Sequence, residues 1–380
     1  MDFELSDDQR LLVRTVADFC KKESPVTRLR QLRETELGWE PRTLAQMGEL
    51  GWLGVMFPEE YGGLGGSFTD TALILEQLGM TLVPEPYLAS IVLGGLAVRF
   101  AAAPERAAEL LPPLLAGEEV WALAYAEAQG RGAPSDIETR ATQRGDGYRL
   151  TGEKRWVLAG HGASRLIVSA RTAGDPRDAS GVSLFLVDPK APGVTVTRVD
   201  CMDGHKAAMV SLADAPGELL GEAGAAAPIL TRVLDYGAAA ACAEGSGIMQ
   251  AVLAMTRDYL CDRAQFGVKI GTFQALQHRA VDLFVETELA KSSAIAAMIA
   301  ADDERPEERM RAVSAAKCQL TLSGGFVVRQ GTQLHGGIGV TDEHDIGLYF
   351  KRMHSLVTLF GDETFHTQRF ASLPSFTAHL

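Results

Sequence analysis

The sequence predicts an α+β protein of several domains, with a helical N-terminal domain, a middle β-domain and a C-terminal four-helix bundle. A chain of 380 residues is longer than one hydrophobic core usually supports, so two or three domains are expected. From about Val120 the segments become short and rich in β-branched and aromatic residues, and a helical pattern returns after Leu220. The predicted domains are residues 1–119, 120–222 and 223–380.

The N-terminal domain is predicted from helical apolar patterns with recognisable starts. Ser6 is a suitable helix cap, and the acidic Asp7 and Asp8 suit the positive end of the helix that follows. Glycines and a proline in residues 51–66 indicate an ordered loop. The further helices are predicted at residues 41–50, 68–78, 87–101 and 104–115.

The middle domain is predicted as a compact β-structure. Its apolar segments are short, and Gly, Asp and Pro separate them, as expected for strands joined by turns. The predicted strands are residues 121–125, 139–142, 148–151, 165–171, 182–187 and 194–199.

The C-terminal domain is predicted as a helical bundle. Residues 225–259 are rich in Ala, Gly and Ser, so neighbouring helices can approach this helix closely. Two glycines in residues 266–271 break the helical pattern, so two helices meet at a corner. Helices at residues 273–301 and 311–329, with the segment after Tyr349, complete the four-helix bundle.

Composition excludes several classes of protein. The formal charge of −13 argues against nucleic acid or an anionic membrane as a partner, because both require a basic face. The five cysteines are odd in number, dispersed and show no C-x-x-C spacing, which indicates a reducing cytoplasm and no disulfide framework. We expect no metal site. The N-terminus is acidic and no apolar run follows it, so we expect no secretory signal. The run at residues 88–98 is too short to span a bilayer.

The corner at residues 266–271 brings together groups that suit a diphosphate. Arg263 supplies a planar fork of donors, and Gln265, Phe266 and Gln274 add two amides and one ring. The alternative is that Arg263 pairs with an acid such as Asp258 and that Phe266 belongs to the core.

Three motifs in this region resemble the C-terminal signature of the acyl-CoA dehydrogenase family of flavoproteins. They are Arg263-Ala-Gln-Phe-Gly267, Ile270-Gly-Thr-Phe-Gln274 and Gln333-Leu-His-Gly-Gly337, and the resemblance extends over nearly the whole chain. It implies that they hold the diphosphate and adenine side of FAD, with the Gln-x-x-Gly-Gly turn supplied by a neighbouring subunit. The implied residues are Arg263, Phe266, Gln274, Gln333, Gly336 and Gly337. The alternative for Gly336 and Gly337 is a simple turn, with His335 hydrogen-bonded to the backbone.

The resemblance also implies cofactor contacts outside this signature. Trp156 matches the tryptophan that lies beside the flavin, and Thr364 matches a threonine of the family's final motif. Two positions depart from the family pattern, because Ala126 and Leu158 replace threonines that contact the flavin ring.

Acyl-CoA dehydrogenases remove a proton from Cα of a thioester while a hydride passes from Cβ to the flavin, so a carboxylate base is required. Placing Thr364 in register with the family threonine puts Asp362 at the base position, whereas counting from Lys351 puts Phe360 or Gly361 there. Asp362 also resembles a cap of the last helix.

Some family members carry the base on the long helix that follows the β-domain. That position falls at Gly237 here, which has no side chain, and the adjacent family arginine falls at Ala238. Glu244 lies about two turns further along the same face and is the alternative base; the competing interpretation is a hydrogen-bonded structural acid.

The resemblance implies FAD-dependent α,β-dehydrogenation of an acyl-CoA in lipid metabolism, with an electron-transfer flavoprotein as oxidant. The segment Gly336–Asp345 resembles the branch found in actinobacterial steroid and cholesterol side-chain degradation, some members of which are α2β2 heterotetramers. A homotetramer and such a heterotetramer both stay open. The alternative functions are a catalytically degenerate subunit of a heterotetramer and a flavin monooxygenase or oxidase.

Overall fold

A computed structural model describes residues 4–130 and 133–374; the first three residues of the acidic N-terminus lie outside it. The chain forms two compact units. The helical unit comprises Met1–Gln31, Phe68–Val83 and Ala238–Leu380, and the β-unit comprises Leu32–Ser67 and Pro84–Gly237.

The regular elements follow one another as predicted for an α+β chain. The α-helices are α1 Asp7–Glu23, α2 Val26–Leu32, α3 Pro41–Glu49, α4 Phe68–Thr81, α5 Leu96–Ala101, α6 Pro104–Leu115, α7 Ala226–Asp262, α8 Gln274–Ala301, α9 Pro306–Leu334, α10 Ile346–Thr358 and α11 Glu363–Ala371. The strands are β1 Trp121–Ala124, β2 Arg140–Arg144, β3 Gly147–Leu158, β4 Arg165–Arg171, β5 Val182–Val187, β6 Val194–Asp200, β7 Lys206–Leu220, β8 Ala264–Gln265 and β9 Val268–Lys269.

In the β-unit, seven strands form one sheet. The order is β1-β4-β2-β3-β7-β5, β6 pairs with β7, and β5 also pairs with β4, so the sheet curves back on itself. Side chains such as Leu150, Leu166 and Phe185 fill its interior without exposure to solvent. The long strand β7 is absent from the predicted strands, because Ala, Gly and Pro give it little β-propensity and its pairing with β3 stabilises it instead.

The helix predicted at residues 87–101 begins as a π-helix. Tyr87–Gly95 has the wider π-helical turn and continues into α5. The hydroxyl of Tyr87 donates to the carbonyl of Trp52 at 2.7 Å, and Ser90 Oγ accepts the backbone N–H of Trp121 at 2.9 Å. These bonds attach the apolar helix to the sheet and to the loop at residues 51–66.

In the helical unit, α4 and α7 cross with their backbones in contact. A Cβ atom added to Gly247 would lie 1.9 Å from the carbonyl oxygen of Glu76, and one added to Gly79 would lie 2.3 Å from that of Glu244. The predicted close approach to this Ala/Gly-rich helix is therefore confirmed. Helix α7 is long and apolar enough to cross a bilayer, but 72% of its most apolar window is buried in the protein, as in a core helix.

The last segment of the bundle consists of two helices instead of one. Between α10 and α11 the backbone of Phe360 and Gly361 takes left-handed φ values of 63° and 110°. A left-handed φ is unfavourable for phenylalanine, so the surrounding contacts must hold this turn in place.

Candidate functional site

The corner predicted after α7 is a tight β-hairpin at the N-terminus of α8. Strands β8 and β9 pair through Gln265 and Val268, and the two residues between them, Phe266 and Gly267, have φ values of 55° and 81°. Positive φ at both central residues is the geometry of a type I′ turn. The turn places Phe266 at the tip with 91% of its surface exposed, so the alternative that Phe266 belongs to the core is wrong.

Arg263 lies at the base of this hairpin, where its backbone bonds to Tyr259 and Ile270. Asp258 is held by Arg257 at 2.7 Å, so the alternative pairing of Arg263 with Asp258 is wrong. Among residues 4–130 and 133–374, the guanidinium of Arg263 has no ion-pair partner and is exposed. A fixed cation with free donors is therefore available at this corner.

The start of α8 adds backbone donors to the same corner. Its N-cap is Phe273, which has no side-chain cap, and Gln274 is the first residue of the helix and is exposed. The first N–H groups of an uncapped helix point outward at the positive end of the helix dipole and suit an anion. Together with Arg263, they fit a diphosphate.

The Gln-x-x-Gly-Gly motif forms the turn after α9. Gln333, Gly336 and Gly337 are exposed, and a Cβ added to either glycine would meet no atom within 4 Å. The backbone is therefore open to close approach by a ligand, as a phosphate cradle requires.

His335 attaches this turn to the end of α7. Its ring is 1% exposed, Nδ1 bonds to the carbonyl of Gly331 at 2.8 Å, and its centroid lies 4.6 Å from that of Tyr259. Burial lowers the pKa of His335. The histidine is thus a backbone-bonded structural residue, as its competing interpretation predicted. Because Tyr259 lies one turn before Arg263, both motifs lie at the same end of the helical unit.

Asp362 is the N-cap of α11. Its Oδ1 accepts the backbone N–H of Phe365 at 2.9 Å, and the residue is exposed. The predicted capping role is confirmed. The other oxygen is not needed for the cap, so a role as base is compatible with this geometry. Thr364 is exposed in the first turn of the same helix.

The turn that carries Asp362 is held by two buried side chains, Lys317 and His366, that the sequence analysis did not identify. Lys317 Nζ donates to the carbonyls of Leu356 and Leu359 at 2.7 and 2.8 Å, and burial lowers its pKa to about 8. His366 Nε2 lies 3.2 Å from the carbonyl of Phe360. A lysine inside the otherwise uncharged run of α9 between Arg311 and Arg329 was the signal in the sequence.

His366 makes the stability of the protein depend on pH. Its ring is 1% exposed, and burial, with the nearby charges of Lys317 and Arg369, lowers its pKa from 6.5 to about 3. The folded state therefore favours neutral His366. Its contribution is complete above pH 6.5 and is lost as the pH falls towards 3, because the unfolded chain binds a proton that the folded chain excludes.

We expect this group to lower the free energy of unfolding by about 2 kcal/mol between pH 6.5 and pH 5, at roughly 1.4 kcal/mol per pH unit. Urea denaturation at the two pH values measures the loss. The His366→Gln variant should show a correspondingly smaller pH dependence, whereas His278→Gln, at an exposed position of α8, should behave as the wild type. An equal pH dependence in His366→Gln and the wild type would contradict the assignment.

The alternative base Glu244 is bound to Arg352. The two side chains form a bidentate ion pair with Nε to Oε1 at 2.5 Å and Nη2 to Oε2 at 2.9 Å, and the residues are 7% and 8% exposed. Both carboxylate oxygens are thus occupied by one guanidinium. The geometry supports the structural interpretation of Glu244.

In the β-unit, Trp156 lies on a bulge of β3. Its φ is 54°, and its surface is 57% exposed. A buried ion pair lies under this bulge, with Lys154 Nζ 2.6 Å from Glu127 Oε1. The sequence analysis did not identify Glu127, because its partner Lys154 lies 27 residues away, on β3.

Comparison with known proteins shows three family models along the chain. They are the N-terminal, middle and C-terminal domains of acyl-CoA dehydrogenase, at residues 6–118, 122–215 and 227–372. Their order confirms the predicted three-domain architecture with helical, β and helical parts.

Individual relatives cover nearly the full length. The probable acyl-CoA dehydrogenase YngJ of Bacillus subtilis is 31% identical, and the match covers 91% of this chain and 92% of the relative. A chain of the Tcur3481-Tcur3483 steroid ACAD is 30% identical with a TM-score of 0.87, covering 98% and 99%. A chain from the structural work on the electron transferring flavoprotein of Acidaminococcus fermentans is 27% identical with a TM-score of 0.90, covering 98% of each.

Proposed function

The chain belongs to the acyl-CoA dehydrogenase family, and from this premise we propose that it binds FAD and converts an acyl-CoA thioester to the 2-enoyl-CoA. Membership confirms the resemblance seen in the sequence and the classification as an enzyme. The observation that supports FAD binding most directly is the guanidinium of Arg263, which has no ion-pair partner within the described part of the chain, in the same corner as the N-terminus of α8 without a side-chain cap. Phosphate groups are bound by such donors.

In this proposal, each side chain at the corner has a separate role. Arg263 and the first N–H groups of α8 bind the diphosphate, and the exposed ring of Phe266 packs on the dinucleotide. Gln333, Gly336 and Gly337 approach a dinucleotide of a second subunit through an open backbone. Trp156 on the β-unit lies beside the flavin ring. The proposed FAD residues are Arg263, Phe266, Gln274, Gln333, Gly336, Gly337, Trp156 and Thr364.

The chain's own part in the reaction is removal of the Cα proton. We assign this step to the carboxylate of Asp362, which has one oxygen outside its helix cap. The chemistry that bound FAD supplies is acceptance of the hydride that leaves Cβ. An electron-transfer flavoprotein then serves as the oxidant, in a reducing compartment such as the cytoplasm, where the five free cysteines persist.

One surface of the helical unit supports assembly with further subunits. Val281, Phe284, Val285 and Leu289 follow one another at helical spacing on α8 and are 46% to 58% exposed. Apolar side chains in such a stripe are typical of a subunit interface. A second copy of this chain and a related acyl-CoA dehydrogenase subunit are the two candidate partners.

A second function is favoured by one group of observations. Asp362 caps a helix, Glu244 is bound to Arg352, and Gly237 has no side chain, so each position considered for a base has a non-catalytic explanation. These features agree with a subunit that completes an FAD site but does not itself carry the base. In that case the chain would act only with a catalytic partner.

The absorption spectrum and native mass of the purified chain test these alternatives together. Stoichiometric yellow flavin that is bleached by an acyl-CoA supports the enzyme acting alone, and linear and steroid-type thioesters are the substrates to compare. A chain that binds FAD but needs a partner for bleaching is the degenerate subunit. Rapid reoxidation of the reduced flavin in air would indicate an oxidase or monooxygenase.

We expect Arg263→Gln to weaken FAD binding by roughly ten- to a hundredfold, because hydrogen bonds to charged groups contribute roughly 1.5–3 kcal/mol. Titration of apoprotein with FAD, followed by flavin fluorescence, measures the change. The matched control is Arg257→Gln, which removes an exposed arginine of the same segment that pairs with Asp258. Equal FAD affinity in both variants would rule out the proposed diphosphate contact.

A further inference from the structure

We propose that the buried pair of Glu127 and Lys154 is a positioning element that sets the β-bulge of Trp156 and thereby the flavin-facing surface of the β-unit. The inference rests on the proposed function for the identity of the ligand, the planar ring of a flavin. The geometry of the pair and the bulge is independent of that identity.

The bulge is defined by the register of β3 and β7. Lys154 pairs with Val210 and Val157 pairs with Ala208, so Arg155 and Trp156 lie opposite a single residue of β7. The extra residue turns Trp156 to the same outer face as Arg155, and its φ of 54° lies in the left-handed region. Such a backbone conformation costs on the order of 1–3 kcal/mol and persists only where its surroundings determine it.

The surroundings that determine it lie directly under the bulge. The side chain of Lys154 is fully buried, and its ammonium group donates to Glu127 Oε1 at 2.6 Å, to Ser169 Oγ at 3.0 Å and to the carbonyl of Tyr125 at 3.4 Å. Ser169 belongs to β4, and Tyr125 and Glu127 lie in the segment that follows β1. Lys154, two residues before Trp156, is therefore joined through its ammonium group to β4 and to the segment that follows β1.

Glu127 joins the same group to the loop that follows β1. Its carboxylate accepts the backbone N–H groups of Glu138 and Thr139 at 2.7 and 3.2 Å and the amide of Gln129 at 2.9 Å. The backbone N–H of Arg155 donates to the carbonyl of Ala126 at 2.8 Å. Glu127 therefore holds the backbone of residues 138 and 139, and its neighbour Ala126 holds the backbone of Arg155 in the bulge.

The stability of the fold does not by itself explain why this pair is charged. A buried ion pair is close to break-even against a well-packed apolar pair of the same volume. Burial raises the pKa of Glu127, but the charge of Lys154 and the hydrogen bonds from Lys154, Thr139 and Gln129 together outweigh burial and lower that pKa to about 2. Burial lowers the pKa of Lys154 to about 8. Both groups are therefore charged at neutral pH. What the pair supplies is directional bonding to a strained segment whose own tryptophan ring is more than half exposed.

The variants Lys154→Met, Glu127→Gln and their combination test the proposal. The matched control is Phe185→Leu, which removes buried volume from β5, a strand of the same sheet that pairs with β4 and β7. Two readouts apply to every variant. They are the fluorescence emission of Trp156 in the apoprotein, isolated by subtraction of the corresponding Trp156→Phe protein, and the dissociation constant of FAD.

We expect both single variants to shift the emission of Trp156 and to weaken FAD binding about tenfold or more, since a displaced contact loses its geometry. Phe185→Leu should lower the thermal midpoint and leave both readouts unchanged. If Lys154→Met does not fold, Glu127→Gln decides, because it keeps the shape of the side chain and removes only the charge. If the Lys154 and Glu127 variants show the same Trp156 emission and the same FAD affinity as the Phe185→Leu control, the proposal is overturned. A wild-type protein that binds no FAD would refute the proposed function, and the emission readout would still decide whether the pair sets the bulge.

Discussion

Replacement of Asp362 by asparagine is expected to lower turnover by roughly 10²- to 10⁴-fold while FAD stays bound, because a general base contributes about that much. Asparagine caps a helix as well as aspartate does, so the bond to the N–H of Phe365 is kept. The variant therefore removes the base and preserves the cap. Bleaching of the flavin by an acyl-CoA, followed in a stopped-flow instrument, measures the effect.

Two further variants separate the roles of this residue. Asp362→Ala removes base and cap together, and should add a loss of about 1 kcal/mol of stability to the loss of turnover. Glu363→Gln is the matched control, since it neutralises the adjacent exposed carboxylate in the first turn of α11. Wild-type bleaching by the asparagine variant would show that Asp362 is only a cap and would favour the partner-subunit function.

Replacement of Arg352 by methionine should lower the free energy of unfolding by roughly 3–5 kcal/mol, because it leaves Glu244 charged, buried and without its partner. The pair is almost inaccessible to solvent, so water does not replace the lost donors. Urea denaturation followed by circular dichroism gives the change. The matched control is Arg106→Met, at exposed pairs with Glu109 and Glu218 where we expect a loss of about 1 kcal/mol or less.

The double variant Glu244→Gln with Arg352→Met completes the comparison. It removes both charges and should recover much of the stability lost by the single change. If Glu244 has no catalytic role, the double variant also keeps its turnover. A stability loss in Arg352→Met as small as that of Arg106→Met would mean that the buried pair is not important for folding.

Local sequence signals predicted most of the fold. The cap at Ser6 forms a capping box with Gln9, and α6, β4 and β5 begin and end at the predicted residues. Each of these depends on neighbours within a few positions, which the sequence displays directly. Strand β7 was missed because its stability comes from pairing with β3, which a local pattern does not contain.

The candidate site was predictable to a smaller extent, for the same physical reason. The exposed corner at Arg263 is built within one segment, so its residues were found together. The partner of Glu244 lies 108 residues away, and Lys317 contacts carbonyls about 40 residues further on. A buried charge in an apolar helix indicates that a partner exists, but only the folded chain identifies it.

The contact between α4 and α7 restricts the number of residues between Glu244 and Gly247 as well as their identity. Each helical residue turns the direction of the next side chain by about 100°. One residue inserted between Glu244 and Gly247 would either present a side chain to the carbonyl of Glu76 or rotate the carboxylate away from Arg352. Evolution can therefore alter this stretch by exchanging residues in place, whereas any gain or loss of a residue would break the crossing or the ion pair.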